Sequence, residues 1–267
     1  MLANYHTHST FCDGKNTPEE IVVAAIEKGF TSLGFSGHAY TPFDTRYCMK
    51  DTDSYVLEIA RLKEKYRKDI QIYLGVEEDA FAPISRSGLD FVIGSSHYLN
   101  SSGRYIPIDS SREYFISCLE AVDYDINKLA EIYYSSFCDY VKKYKPDIIG
   151  HYDLITKYNE QIPELLNLSK EYRETAEKYL REMIKVGSIV EVNTGAITRG
   201  ARSTVYPSED LLYMLKKENA KITLSSDSHA VATLDGCFKE TKKYLYDIGF
   251  RSYYVLLDGK FTQTDLI

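Results

Sequence analysis

The sequence has no tryptophan, only five cysteines, and no apolar run that approaches the roughly 18–20 residues of a membrane-spanning helix. The cysteines (Cys12, Cys48, Cys118, Cys138 and Cys237) are odd in number, scattered and never spaced as CxxC. Such a set argues against a disulfide framework or a thiolate zinc knuckle and points to a reducing cytoplasm. Positive charge is also short. The 32 Lys+Arg stand against 39 Asp+Glu, for a net charge of −7. A protein that binds nucleic acid regardless of sequence needs a basic face to displace phosphate counterions, so this balance argues against that class. The opening residues, MLANYHTHST, lack the basic and apolar segments of a signal peptide. No early GxGxxG turn marks a dinucleotide fold. No Gly/Ser/Pro linker or charge block divides the chain, which reads as one domain over residues 1–267.

What the chain does have is alternation of short β-rich runs with amphipathic stretches. The first run ends at Asn4-Tyr5-His6-Thr7-His8. A helix follows, with Thr17 as its cap, Pro18 at its first position, Ile21, Val22, Ala25 and Ile26 on its apolar face, and Gly29 as its stop. Further strands are expected at 32–38, 70–77, 91–97, 147–151, 188–193 and 221–227, and helices at 53–66, 126–144, 169–186, 208–218 and 235–246. Seven strands in β–α order predict an α/β fold with a parallel sheet, closed into a barrel in preference to an open sheet. Tyr253–Leu257 is a candidate eighth strand. The stretch at about 100–125, with Gly103, Pro107 and several serines, is the least regular and reads as a βα insertion, a lid or a substrate loop. The 24 tyrosines read as amphipathic packing rather than as a stacking platform for bases.

All six histidines, His6, His8, His38, His97, His151 and His229, fall at or just past the C-terminal end of an expected strand. In βα-barrels that rim carries the active site, because the loops of every strand converge there. His6 and His8 sit at i, i+2, so both rings point to one side. Asp227 and His229 repeat the spacing. Asp13 and Glu77 bring carboxylates to the same rim. A His/Asp/Glu set without cysteine suits Zn, Mn or Fe, and nine such residues are too many for one ion. Two or three divalent ions fit the count. Arg199, after the sixth strand, and Lys157, after His151, are candidates for binding a substrate phosphate.

His6-Thr-His8, Asp13-Gly14 with Thr17-Pro-Glu-Glu20, Gly37-His38, Gly75-Val-Glu77, Gly94-Ser-Ser-His97, Gly150-His151 and Ser226-Asp-Ser-His229 resemble, in order, the motifs of the PHP (polymerase and histidinol phosphatase) superfamily. Gly75-Val-Glu-Glu-Asp79, Asp90 to His97, Asp147 to Asn159 and Glu191-Val-Asn-Thr-Gly195 are similar to its monofunctional histidinol-phosphate phosphatases. The resemblance implies a distorted TIM-like (β/α)7 barrel with a trinuclear metal site. One ion would take His6, His8, Glu77 and Asp227, a second His97, His151 and the bridging Glu77, and a third Asp13, His38 and His229. It further implies a cytoplasmic enzyme of histidine biosynthesis that hydrolyses L-histidinol phosphate, a small-molecule ester, by attack of a metal-bridging hydroxide. Glu77 and Asp227 would be its catalytic carboxylates, with Asp227 a candidate general acid. Neither nucleic acid nor membrane is an expected partner. Another phosphoester, such as phosphotyrosine, a sugar phosphate or a nucleotide, is the alternative substrate. Asp79, Asp109 and Asp153 are unranked candidates for the substrate ammonium.

Overall fold

In the computed structural model the chain opens on a short strand, β1 (Ala3–Asn4), and residues 1–163 and 168–267 are described. The next element, α1 (Pro18–Glu27), starts where local chemistry places it. The Glu20 amide donates to the Thr17 hydroxyl, the Thr17 amide donates back to the Glu20 carboxylate at 2.8 Å, and Pro18 fills the first turn, where no amide is needed. Six more units follow the pattern: β2 (Ser32–Phe35), α2 (Thr52–Lys65), β3 (Gln71–Asp79), β4 (Phe91–Ser95) and, after an excursion, the rest of the barrel. That excursion is a hairpin, β5 (Tyr98–Ser101) and β6 (Arg104–Pro107), then α3 (Arg112–Glu120) and the long α4 (Ile126–Tyr144). The barrel resumes with β7 (Ile148–Ile149), α5 (Lys170–Ile184), β8 (Ile189–Asn193), the short α6 (Gly195–Thr198), α7 (Glu209–Lys217), β9 (Ile222–Ser225) and α8 (Phe238–Ile248).

The seven barrel strands pair in parallel, in the order β1-β2-β3-β4-β7-β8-β9. The two ends meet at the C-terminal rim. Thr7 bridges Ser228, His8 donates its amide to the Ser228 carbonyl at 2.8 Å, and Ser228 donates to the His6 carbonyl at 3.0 Å. The closure therefore runs through the histidine-bearing residues themselves. Any shift of that seam moves the site.

Tyrosines pack the layer between barrel and helices, and several bond their hydroxyls there, although the buried Tyr206 hydroxyl has no partner. Tyr133 donates to the Ser96 carbonyl (3.0 Å), Tyr152 to the Ala176 carbonyl (2.8 Å), and Tyr134 pairs with Tyr172 (2.9 Å). A ring buried with its hydroxyl bonded contributes apolar area without an orphaned polar atom. No helix among the described residues is long and apolar enough to cross a membrane.

Two expectations change. Tyr253–Leu257 is a strand, β10 (Ser252–Leu257), but it pairs antiparallel with β11 (Lys260–Asp265) and not with the barrel sheet. Asp258 and Gly259 both hold positive φ (49° and 74°), the tight turn that folds a hairpin back on itself. The hairpin is anchored at the barrel floor, where Leu256 donates its amide to the Tyr5 hydroxyl (2.6 Å) and accepts from the Ser32 hydroxyl (2.8 Å). The stretch at 100–125 is also more regular than its composition suggests. Ser102 and Gly103 turn the β5–β6 hairpin at positive φ, and Ser111 caps α3. Strands of four residues are too short for the serines and glycine around them to leave a readable alternation.

Candidate active site

Glu77 is the hub of the C-terminal rim. Its strand, β3, is long enough to show why Glu77 and not its neighbour points inward. Side chains alternate, and Glu78 faces outward to Arg86 (2.7 Å), the Tyr140 hydroxyl (2.7 Å) and the Ile84 amide (3.1 Å). Glu77, almost fully buried, meets five histidine rings: His38 at 2.8 Å, His151 at 2.9 Å, His6 at 3.2 Å, His97 at 3.3 Å and His8 at 3.6 Å. Asp227 Oδ1 lies 3.3 Å from His8 Nε2 and 3.6 Å from His6 Nε2, at a residue with φ +49°. Asp13 lies 3.4 Å from His229 Nε2 and 3.8 Å from His38 Nε2. All nine residues singled out from the sequence are thus brought together. They fall into overlapping sets whose ligand atoms lie within 4.8 Å of one another: His6/His8/Asp227, His6/Glu77/His151, His38/Glu77/His97, and His8/Asp13/His38/His229.

The far ring nitrogens explain what the near ones can do. His6 Nδ1 lies 2.6 Å from Glu191, a carboxylate that can only accept, so Nδ1 carries a proton and Nε2 is the nitrogen left to bind a cation. His97 Nδ1 is likewise 3.2 Å from Asp79, and His229 Nδ1 is 3.0 Å from the Asp227 carbonyl. At His6 and His97 the nitrogens turned to Glu77 are therefore the ones left to act as ligands. Buried His6 Nε2, His8 Nε2, Glu77 Oε2 and His151 Nδ1 make no hydrogen bond. Carboxylates and imidazoles packed this densely are held together by protons, as between His151 Nε2 and Glu77 Oε1 at 2.9 Å, or by cations in their place. This donor set fits divalent metal ions, and the bonded far nitrogens are the outer support such ligands usually have.

Neighbouring rings are also pulled in opposite directions. Burial disfavours charge on His6, yet Glu191, Glu77 and Asp227 drive its pKa well above the usual value. Burial, with His229 and His38 nearby, pushes His8 down to about 3. Burial opposes charge on Glu77 too, but His6, His38 and His97 hold its carboxyl well below the usual range. Cys12, 3.5 Å from His8 Nδ1, is a bystander: burial and Asp13 push its thiol up to about 11.

The cluster floors a cleft of about 510 Å³. Arg199 and Lys157 both line it. Arg199 clamps Asp227, donating to its carbonyl and to Oδ2, each at 2.7 Å. Lys157 donates to the Asp109 carbonyl at 2.6 Å, and its Nζ lies 3.3 Å from Asp109 Oδ2. A larger open groove, about 740 Å³, runs along α5 past Glu174, Lys178, Arg181 and Lys185 and holds no histidine. Sequence reasoning assigned no role to Glu191, although its position between Val190 and Val192 in a fully buried strand was a signal: a charge there needs partners.

The PHP domain family matches residues 4–195. The chain belongs to this family. The PHP match takes in seven of the nine clustered residues and Glu191, while Asp227 and His229 lie beyond it and join through the barrel seam. The chain is 31% identical to a Schizosaccharomyces pombe protein named "Probable histidinol-phosphatase", covering 97% of this chain and 90% of that one. It is 26% identical to the histidinol-phosphatase of Bacillus subtilis, covering 84% and 92%. Among solved structures, a histidinol phosphate phosphatase of Lactococcus lactis complexed with Zn, L-histidinol and phosphate has the same PHP fold, with TM-score 0.71, 22% identity, and 97% and 98% coverage.

Proposed function

We infer that this protein is a metal-dependent phosphomonoesterase that hydrolyses L-histidinol phosphate to L-histidinol and phosphate. The observation that carries the reading is the buried cluster around Glu77, where histidine nitrogens and carboxylates with the spacing of metal ligands meet at the floor of an open cleft. The relatives' shared activity narrows the substrate. His6, His8, Glu77 and Asp227 would hold one ion, His97, His151 and Glu77 a second, and Asp13, His38 and His229 a third, with Zn, Fe and Mn all compatible with these donors. When bound, such ions neutralise phosphoryl oxygens and lower the pKa of water to about 7.

The chain's own residues orient the rest. Arg199 uses two donors on Asp227 and keeps others for a phosphoryl oxygen entering the cleft. Asp227 has Oδ2 on Arg199 and Oδ1 toward His6 and His8, and although burial opposes its charge, Arg199 and His6 hold its carboxyl well below the usual range. Its part is that of a fixed anion rather than the general acid considered from sequence. Lys157 adds a second positive charge at the cleft wall.

The test is phosphate release from L-histidinol phosphate beside p-nitrophenyl phosphate, phosphotyrosine and a nucleotide, with metal content measured on the same sample. We expect a kcat/KM preference on the order of a hundredfold or more for L-histidinol phosphate. Metal-loaded protein without that preference would overturn the substrate and send the search to other phosphoesters.

A further inference from the structure

We infer that Asp109 selects phosphate esters that carry a cationic amine beside the ester oxygen, an assignment that rests on the phosphatase reading of the same cleft. The argument begins with the carboxylates near the cluster that are not among the nine. Asp79 is 3% exposed and spent: Oδ2 accepts the His97 amide (3.0 Å) and faces His97 Nδ1, and Oδ1 accepts the Phe81 amide (2.9 Å). Asp153 is 1% exposed, takes the Ser208 amide at 2.9 Å on Oδ2 and leaves Oδ1 unbonded, but it is buried outside the cleft lining, out of reach of a ligand there. Asp44 lines the cleft but is gripped on both oxygens by Arg46 (2.8 and 2.6 Å), with the Tyr98 hydroxyl at 3.1 Å. Asp109 differs from all three. It lines the cleft, its side chain is 25% exposed, Oδ2 stands 3.3 Å from Lys157, and Oδ1 has no hydrogen-bond partner among the described residues.

Asp109 is also held still. Its carbonyl accepts Lys157 Nζ (2.6 Å) and the Tyr158 hydroxyl (2.8 Å), and the preceding Ile108 donates its amide to the His97 carbonyl (2.8 Å). The free oxygen is therefore pre-organised beside the cluster. In L-histidinol phosphate the ammonium sits on the carbon next to the CH2–O–P group, and the imidazole lies further out. A carboxylate that recognises the amine must stand close to the scissile ester, as Asp109 does through its link to His97. Asp44, reached from another loop and already neutralised by Arg46, offers no free oxygen.

The experiment uses the metal-loaded full chain and two ester pairs that differ by the amine: L-histidinol phosphate against 3-(imidazol-4-yl)propyl phosphate, and 2-aminoethyl phosphate against ethyl phosphate. The readout is the ratio of kcat/KM within each pair, split into kcat and KM, with metal content alongside. Asp109→Asn should lower the ratio on the order of 10- to 100-fold, chiefly through KM, the worth of one hydrogen bond to a charged group. An unchanged ratio at wild-type metal content overturns the assignment. If the Asn variant does not fold, Asp109→Glu carries the test. It keeps the charge but displaces it, so a lowered ratio supports the assignment and a wild-type ratio overturns it. A wild-type ratio near one overturns amine selection while leaving the phosphatase reading intact. Metal-loaded wild type that releases phosphate from none of the four esters overturns both.

Discussion

Glu191→Gln separates a buried charge from its shape. The two side chains have nearly the same size, but a carboxylate only accepts hydrogen bonds, whereas an amide accepts at one end and donates at the other. Both Glu191 oxygens are used as acceptors: Oε1 from His6 Nδ1 (2.6 Å), and Oε2 from the His151 amide (2.7 Å) and Asn193 Nδ2 (2.9 Å). Whichever way a glutamine amide is turned, its NH2 faces at least one of these donors. The residue is wholly buried, so no water repairs the mismatch. An orphaned buried donor costs about 1–3 kcal/mol, and the lost bond to a charged group is worth about 1.5–3 kcal/mol. With the His6 proton held on Nδ1 the metal-free protein loses about 3–5 kcal/mol of stability, and a shift of that proton to Nε2 reduces the loss to the charged bond alone, about 1.5–3 kcal/mol.

The same substitution reaches the site through His6. Without an obligatory acceptor at Nδ1, the ring is free to put its proton on Nε2, the nitrogen facing Glu77 and Asp227. Metal affinity should then fall about 10- to 100-fold, as for other outer supports of ligand histidines. Competition titration with a chromophoric chelator measures this directly, and urea unfolding of the metal-free protein measures the stability loss. Metal affinity within twofold of wild type, together with an unchanged unfolding midpoint, would refute the claim that Glu191 fixes the His6 tautomer.

Removing metal should expose the cost of gathering Asp13, Glu77 and Asp227 in one place. A ligand at a thousandfold its Kd adds about 4 kcal/mol, so a strong chelator should lower Tm on the order of 10 °C, with recovery on adding Zn; an unmoved melting curve would remove the cluster as a metal site. Arg199→Ala should raise KM for the phosphoester about tenfold or more through loss of a charge-assisted contact, and an unmoved KM sinks the phosphate assignment. Gly14→Ala would place a Cβ 2.5 Å from the His8 carbonyl carbon and the Ser9 nitrogen, backbone atoms that cannot swing aside. A destabilisation of about 1–3 kcal/mol with reduced metal content is expected from denaturant midpoints and metal analysis, and a wild-type midpoint would show that the Asp13 loop yields more easily than this geometry allows.

Much of this site was legible because its chemistry is carried by positions at strand ends, and strand ends are set by local patterns. The helix starting at Pro18 could be read from Thr17 and Glu20, and Glu77 from the Gly75-Val-Glu77 pattern, with Glu78 then turned outward by the alternation of the strand. The Asp258-Gly259 turn shows where a local signal was present but outweighed. An apolar run at the end of a β–α series looks like one more barrel strand, and only pairing partners distant in sequence, such as Tyr5 and Ser32, place it beneath the barrel. Glu191 and Asp109 belong to a further class. Nothing within a few residues of either tells what it will touch, since their partners His6, His151 and Lys157 arrive from other elements.

The distinction bears on how such a site keeps its chemistry. Residues facing the proposed ions are specified by donor type, so a sequence with histidine and carboxylate at strand ends nearly announces them. The residues that fix tautomers and hold a carboxylate free for a substrate are specified only by what is left unbonded once the fold has closed. For Glu191 that is no unbonded oxygen at all, and for Asp109, which lines the cleft, it is a single oxygen, Oδ1. An unspent acceptor at a residue that lines the cleft is therefore what separates a recognising carboxylate from a supporting one here, and the Gln and Asn substitutions at these two positions should differ accordingly. Glu191→Gln should weaken metal binding whatever the ester, and Asp109→Asn, which also frees Lys157 and so shifts KM for every ester, should lower the preference for the ester that carries the amine.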